Sequence, residues 1–91
     1  MDFMRQAIVT KYHGPTNARG SRISATTESG LRHYYPYRYE LNTEENHRAA
    51  ALAMAEHMGW AGAWRGGAIP QGYAFVLNDG ALFTVAPDTN R

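Results

Sequence analysis

The sequence predicts a single α+β domain: an antiparallel sheet of five or six strands with one α-helix packed on one face, in the order β-β-β-α-β-β. Three observations lead to this fold class. Ninety-one residues suit one domain. Short strand-like segments lie both before and after one well-marked helix, which favours α+β over a wound parallel sheet. Glycine, proline and asparagine separate those segments. The predicted core covers about residues 5–86, and a frayed tail covers 87–91.

The first predicted strand covers about residues 5–13. Its side chains alternate, with Ile8 and Tyr12 on one side and Val9 on the other. The pattern leaves open which side is buried. A glycine-proline pair directly after the segment ends the strand, because proline has no N–H to donate to a neighbouring strand.

Two more strands are predicted before the helix. The second covers about residues 21–27, with Ile23 and Ala25 inward and polar residues outward. The turn Glu28-Ser29-Gly30 closes a hairpin, because glycine accepts positive φ. The third strand follows over residues 31–35.

The helix is the best-marked element. Asn42 is the predicted N-cap, and Glu45 three residues later completes a capping box. The body is rich in alanine, which favours helix and allows close approach to a sheet, and Gly59 predicts the C-terminal end. The apolar stripe predicted to face the sheet consists of Ala51, Leu52, Ala55 and Met58, with Met54 at its edge.

After the helix, the positions of the glycines and of the apolar runs predict the remaining strands and loops. Residues 60–64 are a candidate short strand, and residues 66–72 form a loop by composition. Residues 73–77 predict a strong strand. The sequence Asn78-Asp79-Gly80 then predicts a hairpin turn, with residues 82–85 as the returning strand.

Charge is unevenly distributed, although the formal net charge is only +1. Residues 1–38 hold six basic and two acidic residues, whereas residues 39–91 hold three basic and six acidic residues. Such asymmetry predicts one face suited to an anionic partner. The alternative is a mixed, well-solvated surface with no such role.

Several classes of protein are not supported by the composition. The absence of cysteine excludes disulfides and thiolate chemistry and fits a reducing compartment. No segment approaches the roughly 20 apolar residues of a membrane helix, and the first residues lack the apolar run of a signal peptide. We therefore expect a soluble, cytoplasmic protein.

No catalytic or metal motif is complete in this sequence. The histidines, at positions 13, 33, 47 and 57, include no i, i+4 pair of the kind that binds zinc on a helix. The glycines at positions 14 and 20 lack the Walker pattern, and no serine follows a strand-to-helix elbow. We expect no enzymatic activity, no cofactor and no bound metal.

Basic residues and tyrosines interleave around the second and third strands. Cations neutralise phosphate and aromatic rings stack on bases, so this pattern favours nucleic-acid binding if the tyrosines face outward. Tyrosine and arginine are also the residues of protein-binding hot spots, so a protein partner is the alternative. The predicted binding residues are Lys11, His13, Arg19, Arg22, Arg32, Tyr37, Arg38 and Tyr39.

Several segments carry a resemblance to a known group of proteins: residues 8–23, the motif of Leu41-Asn42, Asn46-His47 and Ala50-Ala51, and the glycine-rich approach to residues 73–76. Over most of its length the chain resembles small proteins without an assigned activity that bacteriophages, plasmids and genomic islands of proteobacteria carry. The resemblance implies a non-enzymatic inhibitor of a host defence complex, for example an anti-CRISPR protein. Because the chain is not strongly acidic, the resemblance implies docking on a protein or ribonucleoprotein surface rather than mimicry of DNA. A monomer and a homodimer are both compatible with it.

Overall fold

Five antiparallel strands and one helix make up the computed structural model, which describes residues 6–77. The elements are β1 (Ala7–His13), β2 (Arg22–Thr27), β3 (Arg32–Pro36), α1 (Thr43–Met58), β4 (Trp64–Ile69) and β5 (Gly72–Leu77). They form one sheet in the order β3-β2-β1-β5-β4, and this confirms the predicted fold class. The predicted turn at 78–80 and returning strand at 82–85 lie outside the described residues. No helix in residues 6–77 is long and apolar enough to cross a membrane.

Cross-strand pairing decides which side chains share a face of the sheet. Ile8 pairs with Thr27 on one side and with Phe75 on the other, whereas Val9 pairs with Thr26 and Ala74. Because directly opposite residues point to the same face, these two rows belong to opposite faces. The row of Ile8 is buried, so the side of β1 that the sequence left open is the side of Ile8.

The hydrophobic core lies between the sheet and α1. Its buried members are Ile8, Ala25, Ala51, Met54, Ala55 and Phe75. Small alanine side chains let the helix approach the sheet closely, and partly buried large side chains close the core around them: Tyr35, Met58, Trp60, Trp64 and Tyr73.

The predicted helix stripe was wrong by about one position. Leu52 is 48% exposed, while the buried side of α1 carries the polar residues Asn46 and His47. The predicted stripe follows the apolar side chains, and Leu52 is one of them. Because Asn46 and His47 are buried as well, the helix is turned so that Met54, and not Leu52, faces the core. The two ends of the helix are as predicted: Asn42 and Glu45 form a capping box, and Gly59 ends the helix with φ of 76°.

The loop predicted over residues 66–72 was also wrong, because β4 occupies most of it. All six residues of β4 pair with β5. Gly66 lies beneath the ring of Phe75, where an added Cβ would be 2.5 Å from ring atoms Cδ1 and Cε1. The glycine here makes room for an aromatic side chain on the neighbouring strand, so its presence does not indicate a loop.

Candidate functional site on the open face of the sheet

Within residues 6–77, no helix covers the face of the sheet that points away from α1, and we call it the open face. Its strand residues are Ala7, Val9, Lys11, His13, Arg22, Ser24, Thr26, Arg32, Tyr34, Pro36, Arg65, Gly67, Ile69, Gly72, Ala74 and Val76. Four of these residues are arginine or lysine, and none is aspartate or glutamate. All five strands therefore contribute to one face whose strand positions hold cations and no carboxylate.

Most of the positive charge lies over β1, β2 and β3. An open depression of about 430 Å³ runs across this region and reaches β4. Its lining residues are Val9, Lys11, His13, Ser24, Thr26, Arg32, Ile69 and Gln71. Arg32 is oriented over the face by its Nε, which donates to Thr26 Oγ1 at 3.1 Å. The depression is thus bordered by cations whose positions the sheet fixes.

The pKa of His13 reflects the positive charge of this region. Its Nε2 lies 2.9 Å from Ser24 Oγ, in a contact between neighbouring strands. Burial lowers the pKa of His13, and the charges of Arg22, Lys11 and Arg32 lower it further. The ring is therefore neutral at pH 7, and the residues that disfavour its protonation are the same cations that would attract an anion.

A serine in contact with a histidine is also the nucleophile-base pair that hydrolytic enzymes use. Ser24 is only 3% exposed, so a substrate carbon has no access to its hydroxyl. Within residues 6–77 no carboxylate hydrogen-bonds the His13 ring, and three cations act against the imidazolium that a general base must become. The contact between His13 and Ser24 therefore serves to position the ring.

Tyr34 is the aromatic residue of the open face. Its ring meets His13 edge-on at a centroid distance of 5.4 Å, and Arg22 Cζ lies 5.3 Å from the ring centroid. These two contacts hold the ring in place while 42% of the residue remains exposed. Tyr34 belongs to the tyrosine run noted in the sequence but not to the predicted binding residues. The signal that marks it is its spacing of two from Arg32, which places both side chains on the same face of β3.

Arg22 also shapes the loop between β1 and β2. Its Nη1 donates to the carbonyl oxygens of Gly14 at 3.5 Å and Gly20 at 3.4 Å, at the two ends of the loop. Inside the loop, Thr16 Oγ1 accepts from the backbone N–H of Arg19 at 3.0 Å. Arg19 lines a second depression of about 340 Å³, whose wall also includes Arg22 and Tyr34. Arg19 is thereby placed beside the open face, although it lies outside the strands.

The other three predicted binding residues lie elsewhere, beyond the end of β3 and on the helix side of the sheet. Tyr37 packs against Tyr12 and Tyr39 at centroid distances of 5.5 and 5.1 Å, and we call these three residues the tyrosine cluster. Tyr12 and Tyr39 both contact Ser21 Oγ through their hydroxyls, at 3.0 and 3.1 Å. The structure therefore separates the predicted residues into two groups on different sides of the sheet.

Arg38 has a structural environment that differs from that of the open-face cations. Its Nε donates to Glu40 Oε2 at 3.0 Å. Its backbone N–H donates to Asn46 Oδ1 at 2.7 Å, and its carbonyl oxygen accepts from Asn46 Nδ2 at 2.9 Å. Arg38 is thus anchored to the first turns of α1 and its charge is paired.

Two histidine contacts lie on the helix side. Nδ1 of buried His47 lies 2.7 Å from Thr10 Oγ1, and the ring packs at a tilt of 47° against Tyr73. Burial lowers the pKa of His47. The rings of His33 and His57 pack together at a tilt of 45°, with a centroid distance of 4.4 Å. Across residues 6–77, no three histidine, aspartate or glutamate side chains come together as metal ligands would. Comparison of the chain with protein-family models, with curated proteins and with solved structures finds no significant match.

Proposed function

We propose that this protein is a non-enzymatic binding protein whose open face binds nucleic acid through its phosphates. One observation carries the proposal: Lys11, Arg22, Arg32 and Arg65 occupy strand positions of the open face, and no carboxylate does. Phosphate contacts by lysine and arginine supply most of the sequence-independent affinity for nucleic acids. A small net charge is compatible with this function, because attraction depends on the charge of the contacting face.

Four of the five acidic residues within residues 6–77 support the same assignment, and the fifth, Glu28, lies in the turn between β2 and β3. Glu44 and Glu45 lie in the first turn of α1 and Glu56 near its end, on the other side of the sheet. The ion pairs within residues 6–77 are Arg38–Glu40 and Arg48–Glu44, both on the helix side. The cations of the open face are therefore separated from these carboxylates by the thickness of the sheet.

Docking on a host protein is the second candidate function, and the tyrosine cluster supports it. Tyr39 is 77% exposed at the edge of this cluster, and exposed tyrosine is enriched at binding hot spots. Together with the resemblance to small phage and plasmid proteins, this surface suits an inhibitor that docks on a host protein or ribonucleoprotein defence complex, such as a CRISPR effector, in the bacterial cytoplasm. A ribonucleoprotein would present protein and nucleic acid together.

Fluorescence anisotropy with a labelled oligonucleotide, titrated at several salt concentrations, tests nucleic-acid binding. We expect affinity to fall with salt, and each removed phosphate contact to lower the slope of log K against log salt by about 0.7 to 0.9. Lys11→Gln and Arg32→Gln should show this effect. Arg48→Gln is the matched control, since it removes one positive charge from the helix side.

Two results would decide between the candidates. No binding at tens of micromolar protein and low salt would contradict the nucleic-acid proposal. Docking on a host protein is then tested by phage challenge, which should show protection, or by pull-down from a bacterial lysate, which should recover a defence complex. If Tyr39→Ala abolishes that effect and Lys11→Gln does not, docking through the tyrosine cluster is the better account.

A further inference from the structure

The structure assigns Tyr34 as a stacking platform for a base, and we propose that the open face binds single-stranded nucleic acid in preference to duplex. This inference rests on the proposed nucleic-acid binding and specifies its ligand. It depends on three observations: the fixed orientation of the Tyr34 ring, the cations placed around that ring, and a face that α1, the helix of the described part of the chain, does not cover.

The ring of Tyr34 is held before any ligand arrives. His13 contacts it edge-on and Arg22 lies over it, at 5.4 and 5.3 Å from its centroid. His13 is itself held by Ser24, and Arg22 by the two glycine carbonyls of the loop. A ring fixed in this way loses little conformational entropy when a base stacks on its exposed surface.

Cations lie on several sides of that ring. Arg32 precedes Tyr34 by two residues on β3, a distance of about 7 Å along a strand. Lys11 lies in the same cross-strand row, because Tyr34 pairs with Ser24 and Ser24 pairs with Lys11, so two strand spacings of about 4.8 Å separate them. A base stacked on Tyr34 would therefore have its flanking phosphates within reach of Arg32 and Lys11.

A duplex does not suit this face. Proteins that read duplex DNA insert a helix or a β-ribbon into a groove, whereas α1 lies on the opposite face with Glu44 and Glu45 in its first turn. Stacking on a side chain also needs a base that is free of its own stack, and single strands offer such bases. The combination of a cationic sheet and one fixed aromatic ring therefore favours a single strand.

The tyrosine cluster provides the contrast. Tyr39 is more exposed than Tyr34, but the residues next to it, Arg38 and Glu40, form an ion pair. Exposure alone would make Tyr39 the better platform, whereas the arrangement of cations favours Tyr34. Comparing substitutions at these two tyrosines thus separates a specific stacking role from a general effect of removing an exposed aromatic.

The test is fluorescence anisotropy at low salt with three labelled probes: a single-stranded oligothymidine, a duplex of the same length, and an abasic single strand with the same number of phosphates. We expect the wild-type protein to bind oligothymidine more tightly than either of the other probes. Tyr34→Leu should weaken binding of oligothymidine by about 5- to 150-fold, the equivalent of one base stack. Tyr34→Phe should keep the affinity, and Tyr39→Leu should leave it unchanged.

The possible outcomes separate this inference from the proposed function. If duplex or abasic strand binds the wild-type protein as tightly as oligothymidine, the stacking role is overturned while nucleic-acid binding stands. An unaffected Tyr34→Leu variant that melts like the wild type has the same consequence. Absence of binding to all three probes overturns both. Because the comparison of probes uses the wild-type protein, it remains decisive even if Tyr34→Leu fails to fold.

Discussion

Asn46 is the residue whose replacement should most clearly destabilise the connection between β3 and α1. Its side chain is 3% exposed and joins this connection to the helix. Oδ1 accepts the N–H of Arg38, and Nδ2 donates to the carbonyl oxygens of Arg38, Leu41 and Asn42 at 2.9, 3.2 and 3.1 Å. Asn46→Ala removes all four contacts without adding bulk.

The expected cost follows from the groups left without a partner. The N–H of Arg38 and the carbonyl oxygen of Leu41 lose their contact with Asn46, whereas the carbonyl oxygen of Arg38 still accepts from the N–H of Leu41 at 3.1 Å. An unsatisfied buried polar group costs about 1–3 kcal/mol. Because Arg38 is exposed and water reaches part of its backbone, we expect about 2–4 kcal/mol in total rather than the upper limit. Asn46→Asp should cost as much, since it places a carboxylate oxygen against three carbonyl oxygens. The comparison variant Asn42→Ala loses the helix cap and should cost about 1 kcal/mol.

Urea unfolding, followed by circular dichroism and by the fluorescence of the two tryptophans, measures these free energies. Trp60 and Trp64 both pack against the core, so their emission reports its loss. We expect both Asn46 variants to unfold at lower urea concentration than Asn42→Ala. An Asn46→Ala variant within about 1 kcal/mol of the wild type, half the smallest expected cost, would refute this account, and so would an Asn42→Ala variant that is less stable than Asn46→Ala.

Three further predictions concern burial. Burial lowers the pKa of His47 below 6.5, so below that pH the unfolded chain binds a proton that the folded chain excludes. The free energy of unfolding should therefore be constant at higher pH and fall as the pH drops below 6.5, by at most about 1.4 kcal/mol per pH unit for each such histidine. His47→Leu should decrease this slope, and His13→Ala should decrease it as well, because the pKa of His13 is also lowered. Met54→Asp should unfold the domain, because Met54 is fully buried. Leu52→Asp should change the free energy of unfolding by less than about 1 kcal/mol, because Leu52 is half exposed. Equal melting temperatures of the two variants would contradict the orientation of the helix. Gly66→Ala should cost about 1–3 kcal/mol because its Cβ would meet the Phe75 ring, whereas Gly67→Ala, with no atom within 4 Å, should be neutral in the same urea assay.

The features that the sequence predicted correctly are mostly local. A capping box joins residues three apart, and the turn at Gly30 needs only a residue that accepts a φ of 95°. Both depend on neighbours in the chain, so a pattern in the sequence is enough to find them. The alternation that separates the two faces of β2 is local in the same sense.

The features that it predicted wrongly depend on residues far apart in the chain. His47 is buried because Thr10, 37 residues earlier, supplies a partner for its ring. Without knowledge of that partner, the pattern of apolar residues directs Leu52, and not His47, toward the sheet. Similarly, the glycines within residues 66–72 predict a loop, because the sequence does not reveal that the ring of Phe75 on the next strand covers Gly66.

The candidate site was predicted in part for the same reason. The register of the strands places four of the predicted residues on the open face: Lys11, His13, Arg22 and Arg32. The alternation of side chains in the sequence predicts a shared face only when the boundaries of the strands are known. Tyr37, Arg38 and Tyr39 follow β3 directly in sequence, but the connection to α1 takes them to the other side of the sheet. Proximity in sequence grouped residues that the fold separates.

The central position of β1 has a consequence for how the chain folds. One partner of β1 is β2, the next strand in the sequence. The other partner is β5, which lies far along the chain: Ala7 of β1 pairs with Val76 of β5. A chain emerging from the ribosome completes the β1-β2-β3 meander while one edge of β1 is still unpaired, and such edges recruit strands from other chains. Lys11 lies on that edge strand until β5 arrives, and charged side chains oppose edge-to-edge association. The cations that suit the finished face to an anion would thus also keep half-folded chains apart, so neutralising them should lower the yield of refolding at high protein concentration.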